Sequence, residues 1–592
     1  MTLSSASRSL ARSNTPAFET LQCLAARVKS GSRLGIGGHH FARLPMALLR
    51  EVIGNGARDL HYFAWAGGLP LEMLLEADAV RAIDLCFSSL DIFGLAPRFR
   101  VAAETGTIPV TDWPALAMIE AFNARRQNLP FMPVQIPAGS TMAERCPALS
   151  FHRDPQSGRL VGLVAAQELD TVLIHAPRAD RSGNVEIVGA RALDLAIVGA
   201  ARQVLVTVDE IVEDGSLGQS GRHAIITRNL VTAIAEVPGG AWPTSCLPHY
   251  VTDYAAIASA LGESAGSLLD RLACPQGEPG AYLCNAALLS AVDPEPFRAP
   301  ALDAARPATI DEIMATRIAM LLDNESFASS GAVSPLANVA YRLAKASHAP
   351  RALLTTFTCG HVDIAPGTMT LSLLEPMDAA SAVAHCGGDD TYFAYYQAGL
   401  VTHEIIGAAQ VDGAGRTNNL ELTKPSGGKL RLPGQGGMSD VANMHANYIV
   451  YVPRHSPSAL VREVETISSA RGVLSADDRE AAGYRQGTVL LLTNLCLFRL
   501  DPETGHFAVV EIMPGASREE IVAETGFPIV FDPDCVTWSG PDLEQLRLLR
   551  EEIDPLGLRR LEFVGARDRA PLLAEILERD RKGTAALIAR RA

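Results

Sequence analysis

The sequence contains no C-x-x-C pair. Its ten cysteines stand apart, at 23, 86, 146, 246, 274, 284, 359, 386, 496 and 535. In a chain of 592 residues that scatter excludes a disulfide scaffold and a structural zinc ribbon. No apolar run is long enough to span a bilayer. The opening "MTLSSASRSLARSNTP" lacks the apolar core of a secretory signal, so residues 1–18 read as a flexible tail. Positive charge is in deficit: 51 Lys and Arg against 66 Asp and Glu give −15, a surface that repels phosphate backbones. These absences predict a reduced, cytoplasmic protein with neither a nucleic acid nor a membrane as partner.

Metal and nucleotide signatures are missing too. "THEIIG" at 402–407 lacks the second histidine of a zinc-protease helix. His39 and His40 are adjacent, with no H-x-x-x-H partner, so no metal is expected. "GIGGHHFARLP" is not G-x-G-x-x-G and has no Walker lysine. Its Gly37 and Gly38 predict a close backbone approach rather than nucleotide hydrolysis.

What is present is a rhyme. "SRLGIGGHHFARLPMALLREVIGNGARDLHYFAWAGG" reads strand, helix after Pro45, strand. "ESFASSGAVSPLANVAYRLAKASHAPRALLTTFTCGH" repeats that order, with its helix after Pro335. Further on, "RADRSGNVEI" carries Asp180, Gly183 and Asn184, and "QVDGAGRTNNLEL" carries Asp412, Gly415 and Asn418. The Asp and Gly pairs are each offset by 232 residues. The fold class predicted is α/β: two homologous open α/β domains in tandem, forming a pseudo-dimer. Residues 19–292 make the first domain and 313–535 the second. The Pro- and Ala-rich 293–312 is the linker, and 536–592 a helical extension. The binding cleft belongs where the carboxyl ends of the two sheets face each other.

Four stretches carry candidate chemistry. In "RLPGQGGMSDVA" the glycines at 434, 436 and 437 let the backbone turn tightly, and Ser439 or Asp440 caps the next helix. Gly436 and Gly437 either hold an oxyanion or make a plain strand-to-helix turn. In "GTIPVTDWPALAMIEAF", Asp112 precedes Trp113, Pro114 and a helix. It is either an N-terminal helix acid or a general acid/base beside an indole. "LPFMPVQIPAGST" is a Pro-punctuated loop ending in Gly139 and Ser140, suited to lining a ligand. "RALLTTFTCGH" closes a β-branched strand on Thr358 and Cys359, with no carboxylate. Cys359 is either packed core or a nucleophile near His361.

Taken in order across both halves, these stretches resemble the class I coenzyme A transferase family, glutaconate type, with its α and β subunits fused. The α-like half carries "GGHHFARLPMALLREVI", "FSSLDIFGLAPRFRVAAETGTIPVTDW", "NLPFMPV" and "HAPRADRSGNVEI". The β-like half carries "AAQVDGAGRTNN", "RLPGQGGMSDVA", "LLTNLCLFRLDPETG" and "MPGASREEIVAETGF". The resemblance implies an acyl-CoA substrate, coenzyme A as part of that substrate with no permanently bound cofactor, and a possible homodimer. In the family's transferases a β-subunit glutamate attacks the thioester. The matching positions here are Phe357 and Thr358, with Cys359 next, and none is a carboxylate. The resemblance is therefore closest to the branch lacking that glutamate, a CoA-dependent hydrolase that opens a steroid ring. That branch uses an acid in the α subunit, matched by Asp112. The implied activity is hydrolysis of a cyclic β-diketone acyl-CoA with Asp112 as general base. Arg43, Arg98 and Arg100 are candidate anchors for a carboxylate or a CoA phosphate, and Gly37, Gly38, Gly139, Ser140 and Asp440 candidate binding residues. Two alternatives stand beside it. One is a CoA-transferase with a displaced nucleophile, Glu375 or Glu404. The other is a CoA-ligand binding protein without catalysis.

Overall fold

The computed structural model describes residues 15–134, 140–158, 160–218, 223–262, 266–273, 290–299, 306–331, 334–356, 359–471, 476–481 and 484–590. The first sheet runs Ala17–Phe18, Ala233–Glu236, Ala201–Val212, Leu169–Asp180, Arg33–Ile36, Leu60–Ala66, Val80–Phe87, Val110–Asp112 across its width. All seven of these pairings are parallel. Parallel strands covered on both faces must be apolar nearly throughout. Leu169–Asp180 obeys this, burying ten of its twelve residues.

The second sheet repeats that order. Its middle runs Val489–Thr493, Asn447–Val452, His403–Gly407, Phe327–Ser330, Leu353–Thr356, again parallel. Each of these five strands has its counterpart in the first sheet, in the same succession from Ala233–Glu236 to Leu60–Ala66. The 232-residue rhyme is a repeated turn. The Asp180 N–H donates to Asn184 O at 2.9 Å, and the Asp412 N–H to Arg416 O at 3.0 Å. Gly183 and Gly415 take φ of 93° and 76° there, a region that favours glycine. The third member of the second turn is thus Arg416, two residues before the Asn418 that the sequence suggests.

The helix Ala115–Arg126 lies where the halves meet and buries ten of its twelve residues. It is a core helix, not an amphipathic surface one. Leu116, Met118, Ile119 and Phe122 are each worth roughly 1.5–3 kcal/mol of burial. The chain ends in the helix Ala566–Ala589, packed over the second half. Its buried Asp580 accepts from the Leu371 N–H at 2.8 Å and the Ser372 hydroxyl at 2.5 Å. Its Arg569 reaches the first half, donating to Ile92 O at 2.9 Å. Part of the expected linker, residues 300–305, lies outside the described residues. No described helix is long and apolar enough to cross a membrane.

Candidate active site

The turn at 433–436 in the second half is laid on the end of strand Val80–Phe87 in the first. The Ser88 N–H donates to Pro433 O at 2.7 Å, and the Gly436 N–H to Cys86 O at 3.1 Å. Beside this seam is a cavity of about 250 Å³, walled by His39, Trp65, Phe87, Glu404, Asn419 and the glycines of the turn. A neighbour of about 150 Å³ shares His39 and Gly331 with it and adds Asp91, Tyr254, Cys359, His361 and Glu375. A third, smaller cavity also reaches His39, from the side of Gly37 and Gly38. The cleft is therefore composite, with His39 common to every compartment.

Glu404 is the second residue of strand His403–Gly407 and is 4% exposed. Among the described residues it has no cationic partner. It accepts the Tyr396 hydroxyl at 2.8 Å, and Ser329 is hydrogen-bonded to Tyr396 in turn. Tyr396 is set by a π-helical turn over Tyr392–Tyr396, a wide turn of the kind often found at functional sites. Burial pushes the Glu404 carboxyl up to about 7, against the hydrogen bonds from Tyr396 and Ser329. It shares its cavity with the turn at 434–437, where Gly434 and Gly437 leave no room for a side chain. A Cβ on Gly434 would lie 2.7 Å from Cys86 O, and one on Gly437 would lie 2.1 Å from the Tyr392 hydroxyl. The Gly436 N–H is spent on Cys86, which removes it as the oxyanion donor the sequence suggests. The Gly437 N–H has no acceptor among the described residues and is left for that role.

The second compartment holds Glu375, which follows the Leu371–Ser372 loop gripped by Asp580. Glu375 bridges the halves: it accepts the Ser245 hydroxyl and, at 3.4 Å, the Ala190 N–H. Burial raises its carboxyl, only partly offset by Ser245. Cys359 lines this compartment; Phe357 and Thr358 lie outside the described residues. Its neighbour His361 is buried and held near 3 by desolvation, so it is a neutral ring. Glu375 and Glu404, the two displaced carboxylates considered from sequence, thus both reach the cleft.

Other sequence candidates are brought elsewhere. Asp112 is 2% exposed and lines none of the three cavities. Both its oxygens are taken by the forked guanidinium of Arg431, 3.0 Å at the longer contact, and Arg145 adds a third bond at 3.3 Å. Asp440 also turns away from the cavities. It accepts the Leu116 N–H at 3.0 Å and so caps the core helix Ala115–Arg126 from the opposite half. Desolvation raises it to about 7. The two acids are reciprocal ties: one sent from the first half to the second, one returned.

Arg43 is fully buried and bound to Asp194 at 2.6 Å, so it anchors the fold and not a ligand. Arg98 pairs with Glu76, and Arg100 with Glu104 at 3.3 Å, both away from the cavities. Gly37 and Gly38 line the smallest cavity, but their N–H groups are committed, to Leu173 O and to Asp194 at 2.8 Å. The close approach predicted there is to protein: a Cβ on Gly37 would lie 2.3 Å from Ile174. Ser140 is buried without lining any of the three cavities, and Gly139 lies outside the described residues.

One trio, His175, Asp209 and Cys246, brings ligand-type atoms within 4.8 Å. Its members are already engaged. His175 spans Thr207 at 2.9 Å and Asp209 at 3.1 Å, and Asp209 also accepts the Gly239 N–H at 2.6 Å. That is a satisfied core network.

Comparison with known proteins agrees with this architecture. The family model described as coenzyme A transferase matches residues 18–236. The IpdA component of the cholesterol ring-cleaving hydrolase of Mycobacterium tuberculosis is 30% identical over 239 residues, 38% of this chain and 81% of that one. One component of the glutaconate CoA-transferase of Acidaminococcus fermentans is 28% identical over 247 residues, covering 39% and 77%. An uncharacterized protein of Archaeoglobus fulgidus is 31% identical over 236 residues; the match takes in 40% of this chain and only 53% of that protein. Both halves are covered by the fold of an Escherichia coli acyl-CoA transferase, YdiF, crystallised as a thioester complex with CoA. Its TM-score is 0.65 at 15% identity, over 90% of this chain and 96% of that one. The chain belongs to the coenzyme A transferase family of enzymes.

Proposed function

We propose that the chain is an acyl-CoA hydrolase in which Glu404 is the general base, with coenzyme A entering as part of the substrate. One observation carries this: a carboxyl only 4% exposed, with no cationic partner among the described residues, on the wall of the cavity closed by the Gly434–Gly437 turn, where burial raises it to about 7. A base whose pKa lies near the working pH both takes a proton and gives it back. Water between Glu404 and the substrate carbonyl loses its proton to the Glu404 carboxylate as its oxygen adds to carbon. The developing oxyanion meets the Gly437 N–H. As the tetrahedral adduct collapses, Glu404 returns the proton to the leaving group. In the opening of a cyclic β-diketone that group is the α-carbon, and CoA stays attached. The relative named as a ring-cleaving hydrolase supports C–C cleavage over thioester cleavage. Asp112, the base expected from sequence, is given a different part: it holds Arg431 and with it the strand that leads into the glycine turn.

A second reading is favoured by Glu375, which shares its compartment with Cys359 beside the position of the family's glutamate. There it serves as a displaced nucleophile in true transfer. Incubation with acyl-CoAs in 18O-labelled water, with and without acetate, separates the two by mass. A CoA-bearing product with one labelled oxygen supports C–C hydrolysis. New acetyl-CoA refutes hydrolysis in favour of transfer, and binding without turnover leaves a CoA-ligand binding protein. A cytoplasmic setting and pairing of two copies belong to the same proposal; light scattering of the purified chain reads the pairing.

A further inference from the structure

We propose that the acyl group taken by this cleft is electrically neutral, and that acyl-CoAs bearing a second carboxylate are rejected. This rests on the acyl-CoA reading of the cleft. Not one lysine or arginine is among the described residues lining its three compartments. Several guanidinium groups behind the walls are already engaged, and Arg191, flanked by the lining Ala190 and Ala192, donates to His385 O at 3.0 Å. Arg43 is bound to Asp194, and Arg431 to Asp112. Arg342 holds Asp378, a lining residue, through two contacts of 2.7 and 2.8 Å.

The walls instead offer Trp65, Phe87, Tyr254 and Ile406, with three carboxyl groups that no arginine pairs among the described residues, Glu404, Glu375 and Asp91. A carboxylate brought in from water would be buried without a counter-ion and beside groups of its own sign, and both effects disfavour it. The imidazoles do not rescue it. Burial holds His39 and His361 well below their usual range and His40 near 4, so all three face the cleft uncharged. A neutral ketone or alkyl chain meets none of these penalties. It finds apolar contact along the same walls.

The test is calorimetric titration of the full chain, at about pH 7.5, with non-hydrolysable thioether analogues of hexanoyl-CoA and adipoyl-CoA, and with CoA alone. The first two ligands differ only by a terminal carboxylate. The hexanoyl analogue is expected to bind at least about 30-fold more tightly. Glu375→Gln, which removes one like charge, is expected to narrow the preference for hexanoyl over adipoyl about threefold or more. Adipoyl binding equal to or tighter than hexanoyl, with CoA also bound, overturns the neutral-acyl proposal alone. If CoA and both analogues all fail to bind, the acyl-CoA reading falls and takes this proposal with it.

Discussion

Asp112 and Glu404 are both buried carboxyls in parallel strands, and the protein surrounds them in opposite ways. Asp112 is enclosed by Arg431 and Arg145, so its charge is neutralised within the wall. Glu404 has only hydroxyl donors among the described residues, and burial raises it to about 7. Burial with a cation makes a structural joint. Burial without one, on a cavity wall, makes a group able to do chemistry.

Breaking the comparison at either acid has distinct signatures. Asp112→Asn leaves the Arg431 guanidinium buried and uncompensated, and is expected to cost about 3–5 kcal/mol in denaturant unfolding. The double variant Asp112→Asn with Arg431→Met is expected to recover much of that loss; no recovery would show that the pair is not the joint described. Glu404→Gln is expected to lower kcat about 10³-fold without lowering the unfolding midpoint. Full turnover by this variant removes Glu404 from the reaction.

A pH experiment sharpens the contrast. Glu404 and Asp440 have folded-state values raised to about 7. For such groups the stability contribution is complete below the unfolded carboxyl value and is lost as pH rises through the folded value. The unfolding midpoint should therefore decline between about pH 5 and 8, and Asp440→Asn should flatten that decline. The same Asp440→Asn change should cost about 1 kcal/mol through the weakened helix cap. Hydrolysis should run the other way, gaining rate as Glu404 ionises. The smallest effect is reserved for Arg98→Ala, whose partly exposed pair with Glu76 is worth about 0–1 kcal/mol; the KM for acyl-CoA should not move. A large rise in KM would restore Arg98 as a ligand anchor.

The repeated βαβ order and the parallel sheets could be derived from the chain, because periodicity and turn residues are local properties. The roles of the acids could not. What makes Asp112 a joint is Arg431, a residue 319 positions away, and the two meet only once the halves have docked. Asp440 likewise needs Leu116, 324 positions away. Glu404 sits in a short apolar strand, "HEIIG", whose single carboxylate is the available signal: an acid in a run otherwise built for burial. That signal is enough to mark it as a displaced carboxylate, but not to show that its companions are tyrosine and serine rather than arginine. Gly37 and Gly38 show the same limit, since a demand for close backbone approach does not say whether ligand or protein is approaching.

The grip of Asp580 on Leu371 and Ser372 has a temporal side. Those two N–H groups are translated about 200 residues before the carboxylate that accepts them. While the chain grows, the loop leading into Glu375 lacks that clamp. Chains emerge from the ribosome at roughly 5–20 residues per second, so the delay is of the order of ten seconds or more. Both sheets can be complete in that interval while the cleft is not. One tie of the second compartment's wall is thus supplied by a residue made after both sheets.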